Sequence, residues 1–96
     1  MPIKVIIVDD EKLARDEMRF LLSHEKDVEI VAEASGGREA VALVRGKKPD
    51  LVFLDIQMPE MNGFQVVSEL LDSGALPLII FATAYDQYAI KAFEVN

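Results

Sequence analysis

The chain has 96 residues and a net charge of −7, from 17 acidic against 10 basic side chains, and it contains no cysteine. Disulfides and thiolate metal sites are thereby excluded, a nucleic-acid backbone is a poor partner for this domain, and 51% hydrophobic with 28% charged residues fits one globular domain rather than a disordered chain. No apolar run approaches the ~20 residues that span a bilayer, and the start, MPIKVIIVDD, runs into two aspartates too soon for a signal sequence, so the expected setting is soluble and cytoplasmic.

Ile3 to Val8 is rich in Ile and Val and predicts a strand buried on both faces. Asp9 and Asp10 end it. From about Glu11 to His24, the apolar residues Leu13, Ala14, Met18, Leu21 and Leu22 recur at helical spacing among charged ones. Val28 to Ala34 predicts a second strand, and Glu29 and Glu33 within it predict a half-exposed edge. Ser35-Gly36-Gly37 is a turn signal, and Arg38 to Gly46 predicts a helix carrying Ala40, Val41 and Val44 on its apolar side.

The run Leu51 to Asp55 predicts a central third strand. A loop from Ile56 to Met61 then leads through Asn62-Gly63 into a helix over Phe64 to Asp72. Leu76 to Ala82 predicts a fourth strand, as apolar as the central ones, and Asp86 to Phe93 a last helix. Strands alternating with helices imply an α/β fold with a parallel sheet and helices on both faces. A fourth strand patterned for burial on both faces, with no fifth strand after it, predicts a neighbouring element that is missing or supplied by another chain.

In an open parallel sheet, ligands bind outside the carboxyl ends of the strands. Polar groups fall at that end of three strands: Asp9 and Asp10 after the first, Asp55 after the third, and Thr83 after the fourth. If the first and third strands are neighbours, three carboxylates converge. Such a cluster repels itself unless a divalent cation joins it, and Mg2+ favours oxygen donors in this number. A carboxylate beside Mg2+ can attack phosphorus, and a hydroxyl such as that of Thr83 can hydrogen-bond the phosphoryl group.

Plainer roles compete. Asp10 could cap the first helix, the commoner use of Asp-Asp before a helix. Asp55 could form a turn, and Thr83 could be an ordinary strand residue or a cap. His24, near the end of the first helix, suits the helix dipole or plain exposure better than catalysis. Met58, Met61, Phe64 and Val67 read as core around the third helix, and Glu11, Asp16 and Glu17 as a solvated face.

The segments VIIVDDE, FLDIQMPEMNG and FATAY, in this order and spacing, resemble the signature segments of response-regulator receiver domains of bacterial two-component systems. The resemblance covers the whole chain, so residues 1–96 are expected to form one receiver domain. It implies a flavodoxin-like (CheY-like) doubly wound parallel sheet with strand order 2-1-3-4, to which the family adds a fifth strand and helix. It implies Asp55 as phosphoacceptor, Asp10 and Asp55 as Mg2+ ligands with Asp9 direct or through water, Gln57 offering its backbone carbonyl to the metal, and Thr83 as the switch hydroxyl. Pro59 and Gly63 match the family's loop, where a proline stiffens the chain and a glycine permits close approach.

The segment FATAYDQYAIKAFEVN is also similar to receivers that precede LytTR-type DNA-binding domains. The implied partners are a sensor histidine kinase and, through an output domain absent from this chain, DNA. The chain ends before the family's phosphate-contacting lysine, so impaired switching and self-association as a swapped or intertwined homodimer are expected. The implied protein is a phosphoryl acceptor rather than a turnover enzyme. An aspartyl-phosphate-forming phosphatase, for which an Asp-x-Asp motif after the first strand is wanting, and a receiver-like module used only for protein contact are the alternatives.

Overall fold

The computed structural model describes residues 1–74 and 76–82. In chain order its elements are β1 (Ile3–Val8), α1 (Lys12–Leu22), β2 (Val28–Ala34), α2 (Gly37–Lys47), β3 (Leu51–Leu54), α3 (Gly63–Asp72) and β4 (Leu78–Phe81). The helix expected over Asp86 to Phe93 lies outside the described residues, as does Thr83. The four strands form one parallel sheet in the order β2-β1-β3-β4. The first and third strands are therefore neighbours, which is the arrangement the carboxylate cluster requires.

Alternation along each strand divides its side chains between two faces. Ile6 and Val8 of β1 and Val52 and Leu54 of β3 face α2 and α3. There they join Val41 and Val44 of α2 and Val66 and Leu70 of α3 in the main core. Val66 and Leu70 are fully buried, and burial of such a side chain contributes about 1.5–3 kcal/mol. α3 begins with a capping box: Asn62 Oδ1 accepts from the Gln65 N–H, and the Gln65 side chain accepts from the Asn62 N–H. These two bonds satisfy donors that the helix start leaves free.

The opposite face is held differently. No residue of α1 is buried, and Leu13, Phe20 and Leu21 are exposed. α1 contributes the half-buried Ala14, Met18 and Leu22 and adds contacts between charges. Arg15 and Arg19, one turn apart, both reach Glu33 on β2. Glu33 thus lies at a sheet edge, as its sequence context suggested, yet it is ion-paired rather than simply solvated. His24 is exposed; its ring meets Phe20 edge-on, and Nδ1 lies 3.1 Å from the Phe20 carbonyl oxygen.

β4 departs from its expected burial. Ile79 and Phe81 pack against the core, while Leu78 and Ile80 point the other way and are exposed among the described residues. It is also shorter than Leu76 to Ala82. Pro77 has no N–H to give to the ladder, and the first N–H bonded to β3 is that of Leu78, which donates to the Asp50 carbonyl at 3.1 Å.

Candidate functional site

Three turns leave the carboxyl ends of β1, β2 and β3, and the backbone ladder fixes their height. The Asp9 N–H donates to the Ala34 carbonyl at 3.1 Å, the Asp55 N–H to Val8 at 3.0 Å, and the Ala82 N–H to Leu54 at 3.0 Å. Because Val8 pairs with Leu54, the residues that follow them emerge side by side. One carboxylate oxygen each from Asp9, Asp10 and Asp55 lies within 4.8 Å of the others. Asp55 is buried, Asp9 half-buried and Asp10 exposed.

The N-cap residue of α1 is Glu11, which makes no side-chain cap bond. Asp9, not Asp10, serves the start of that helix, its Oδ1 accepting from the Glu11 N–H at 2.9 Å. Asp55 does make the turn bond open to any aspartate in its place, since Oδ1 accepts from the Gln57 N–H, though at a long 3.3 Å. That bond leaves most of the carboxylate's acceptor capacity to solvent or to a cation.

Burial, then the charge of Asp9, push the Asp55 carboxyl up to about 6, against the smaller opposing effect of the Gln57 N–H. Burial also raises Asp9, helped by Asp10 and opposed by the Glu11 N–H and Arg15. A cluster in this condition gains by taking up positive charge. All its donors are carboxylate oxygens, the hard set that suits Mg2+ or a similar divalent cation.

The loop after Asp55 is shaped closely around it. Met58 is buried and anchors it. Pro59, Glu60 and Met61 form a three-residue turn, in which the Met61 N–H donates to the Pro59 carbonyl at 2.7 Å and Glu60 takes φ 69°. A positive φ of this kind costs a non-glycine residue on the order of 1–3 kcal/mol. The Gly63 N–H closes the loop on the Ile56 carbonyl at 2.9 Å. A Cβ at Gly63 would stand 2.6 Å from the Asp55 carbonyl oxygen, so only glycine fits. Of the core expected around α3, Met58, Met61 and Val67 pack as foreseen, whereas Phe64 is half-exposed and lies against Phe81.

Sequence reasoning missed Arg15. Its Nη1 donates to the Asp9 carbonyl oxygen at 2.7 Å while its Nε donates to Glu33 at 3.3 Å. The available signal was Arg15 and Arg19 at helical spacing on a face with no buried residue.

A family model described as the response regulator receiver domain matches residues 5–96. The chain belongs to that family. The receiver domain is 51% identical over 94 residues to the sensory transduction protein LytT of Bacillus anthracis, covering 98% of this chain and 38% of that protein. It is likewise 51% identical over 92 residues to the transcriptional regulatory protein BtsR of Escherichia coli K12, covering 96% of this chain and 38% of that one. This chain thus spans little more than a third of these relatives. Among solved structures it resembles the CheX-CheY-BeF3-Mg+2 complex of Borrelia burgdorferi, with a TM-score of 0.80 and 29% identity over 88% of this chain and 63% of the other. This receiver domain is therefore the signalling module of a two-component response regulator, with the flavodoxin-like, CheY-like topology.

Proposed function

We propose that Asp55 accepts a phosphoryl group from the phosphohistidine of a sensor kinase, with Mg2+ held by Asp9, Asp10 and Asp55. The observation that carries this reading is the meeting of the three carboxylates at the ends of adjacent strands, one of them buried. A carboxylate oxygen of Asp55 forms the bond to phosphorus as the bond from phosphorus to the histidine nitrogen breaks, and the nitrogen keeps the electron pair. Bound Mg2+ would supply charge neutralisation on the transferring group. Asp9 and Asp10 would ligate it from the β1 end, and the backbone carbonyl of Gln57 from the loop.

The three-residue turn at Glu60 and the close seat of Gly63 hold the Asp55 backbone while its side chain reacts. Thr83 completes the proposed site as the hydroxyl that meets the phosphoryl group. The related Borrelia structure, a complex with BeF3 and Mg+2, supports the same chemistry here. One phosphoryl group per chain is the product, so the domain acts as a switch rather than a turnover enzyme. Its setting is the cytoplasm, where the kinase phosphohistidine is presented. The relatives named as transcriptional and sensory regulators support a DNA-binding output domain as the downstream partner. Leu78 and Ile80, exposed among the described residues, support a homodimer, and a clean monomer by light scattering at high concentration would remove that part of the reading.

The test is intact-mass analysis after incubation with Mg2+ and a small-molecule phosphodonor. One added phosphoryl group in the wild type and none in Asp55→Asn is the expected result. An unchanged gain in Asp55→Asn would place the acceptor elsewhere.

A further inference from the structure

Asp9 is held at three points, and one of them is unusual. The first is the sheet, through its N–H to Ala34. The second is the helix start, through Oδ1 and the Glu11 N–H. The third is its carbonyl oxygen, which accepts from Arg15 Nη1 at 2.7 Å. A turn leaving a strand ordinarily gives its carbonyls to water or to the following helix. Here a side chain from the second turn of α1 reaches back for it.

That guanidinium is itself fixed. Its Nε donates to Glu33 Oε1, and Glu33 Oε2 is taken by Arg19. The Arg15 side chain is only 16% exposed and that of Glu33 25%, so this is not a freely solvated surface pair. A planar guanidinium presents its donors in a rigid fork. With one arm on Glu33, the other is aimed at Asp9. The N-cap residue of the helix carrying Arg15, Glu11, makes no side-chain cap bond, and the helix's apolar residues Ala14, Met18 and Leu22 are only half-buried, so the bond from Arg15 to the Asp9 carbonyl adds a polar restraint on the β1–α1 turn.

We infer that Arg15, oriented by Glu33, is a positioning residue that sets the β1–α1 turn so that Asp9 and Asp10 present their carboxylates to the metal. This rests on the Mg2+ reading given above. Arg15 does not touch the metal or the phosphoryl group; it acts through the Asp9 backbone. The role has a distinctive sign. As a mere neighbouring positive charge, Arg15 would repel Mg2+, and its removal would tighten binding. As a positioning group, its removal loosens binding, in the way that outer-shell partners of metal ligands cost about 10–100-fold in affinity when lost.

The experiment is Mg2+ titration by calorimetry on wild type, Arg15→Met and Arg19→Met, with hydrogen exchange at the Glu11 amide measured in metal-free protein. Arg19→Met is the matched control, because it also takes one cation from Glu33 but makes no bond to Asp9. About a tenfold weaker Mg2+ affinity in Arg15→Met, faster exchange at Glu11, and an unchanged affinity in Arg19→Met are expected. Arg15→Lys keeps the charge and the apolar stem without the fork. It serves if Arg15→Met does not fold, and an intermediate loss is expected of it. Unchanged or tighter Mg2+ binding in the Arg15 variants, or an equal loss in Arg19→Met, overturns the inference alone. A wild type that takes up no Mg2+ overturns the metal reading and this inference with it.

Discussion

β3 carries an aspartate at each end, and the two are treated in opposite ways. At the start, Asp50 Oδ2 accepts from the Lys4 N–H at 2.9 Å, while the Asp50 N–H donates to the Lys4 carbonyl at 2.8 Å. Its own carbonyl accepts from Leu78. Asp50 therefore joins β1, β3 and β4, and its carboxylate is exposed and provided for. At the other end Asp55 is buried, lies among two further carboxylates, and has one long hydrogen bond. The same side chain stabilises the sheet at one end and strains it at the other. The difference marks function as charge that the fold itself leaves unbalanced.

The largest expected effect comes from crowding the unbalanced end. Gly63→Ala drives a methyl into the Asp55 carbonyl and should cost about 3 kcal/mol, together with most of the phosphoryl uptake. Urea unfolding and intact mass would show both.

Next, removing the charge should reveal the strain. In metal-free protein the folded state binds the Asp55 proton more tightly than the unfolded chain does, since its pKa rises from 3.8 to about 6. Stability should therefore fall as pH rises between these values and stay low above them. Asp55→Asn should be more stable than wild type at pH 7.5 by about 1–2 kcal/mol, allowing for solvent screening, and the gain should vanish near pH 4 or on adding Mg2+. Thermal unfolding across pH would detect it, and a less stable Asp55→Asn would refute it.

The smallest effect has the opposite sign. Asp50→Ala should destabilise by about 1 kcal/mol, as loss of a comparable carboxylate bond to a backbone N–H does at a helix cap. Mg2+ affinity should not change, because Asp50 stands at the far end of the sheet.

Much of this was legible in the sequence. β1 and β2 run over the residues predicted for them, β1 because a buried parallel strand is written as an apolar run and β2 because its Val and Ile residues are interrupted by Glu29 and Glu33 as a half-exposed edge strand's are. Asp9, Asp10 and Asp55 were legible as a group because strand ends in a parallel sheet converge. The boundaries of α1 were less so: it starts at Lys12 and stops at Leu22, short of His24, since its end is set by the turn through Ser23 rather than by a glycine or proline. Arg15 was not legible as part of the site. Its partners, Asp9 and Glu33, lie on two different strands, and only the completed sheet brings them together. Glu33 read as a mark of exposure because a sequence does not show which cation will face it.

The pairing of β1 with β2 slips by one residue after Val5, so that Ile30 lies opposite Val5 but Ala32 opposite Ile6. Val31 is the extra residue, and it joins Ala32 against the core. Beyond the slip, Glu33 lies opposite Ile7 and faces α1, where Arg15 and Arg19 meet it. Deleting Val31 would leave every proposed ligand in the chain and still change the site, since a regular ladder would then have to choose between aligning β2 at its start and aligning it at Glu33. β2 contributes no carboxylate to the cluster, yet its residue count bears on the site: the strand can tolerate changes of letter more readily than a change of length.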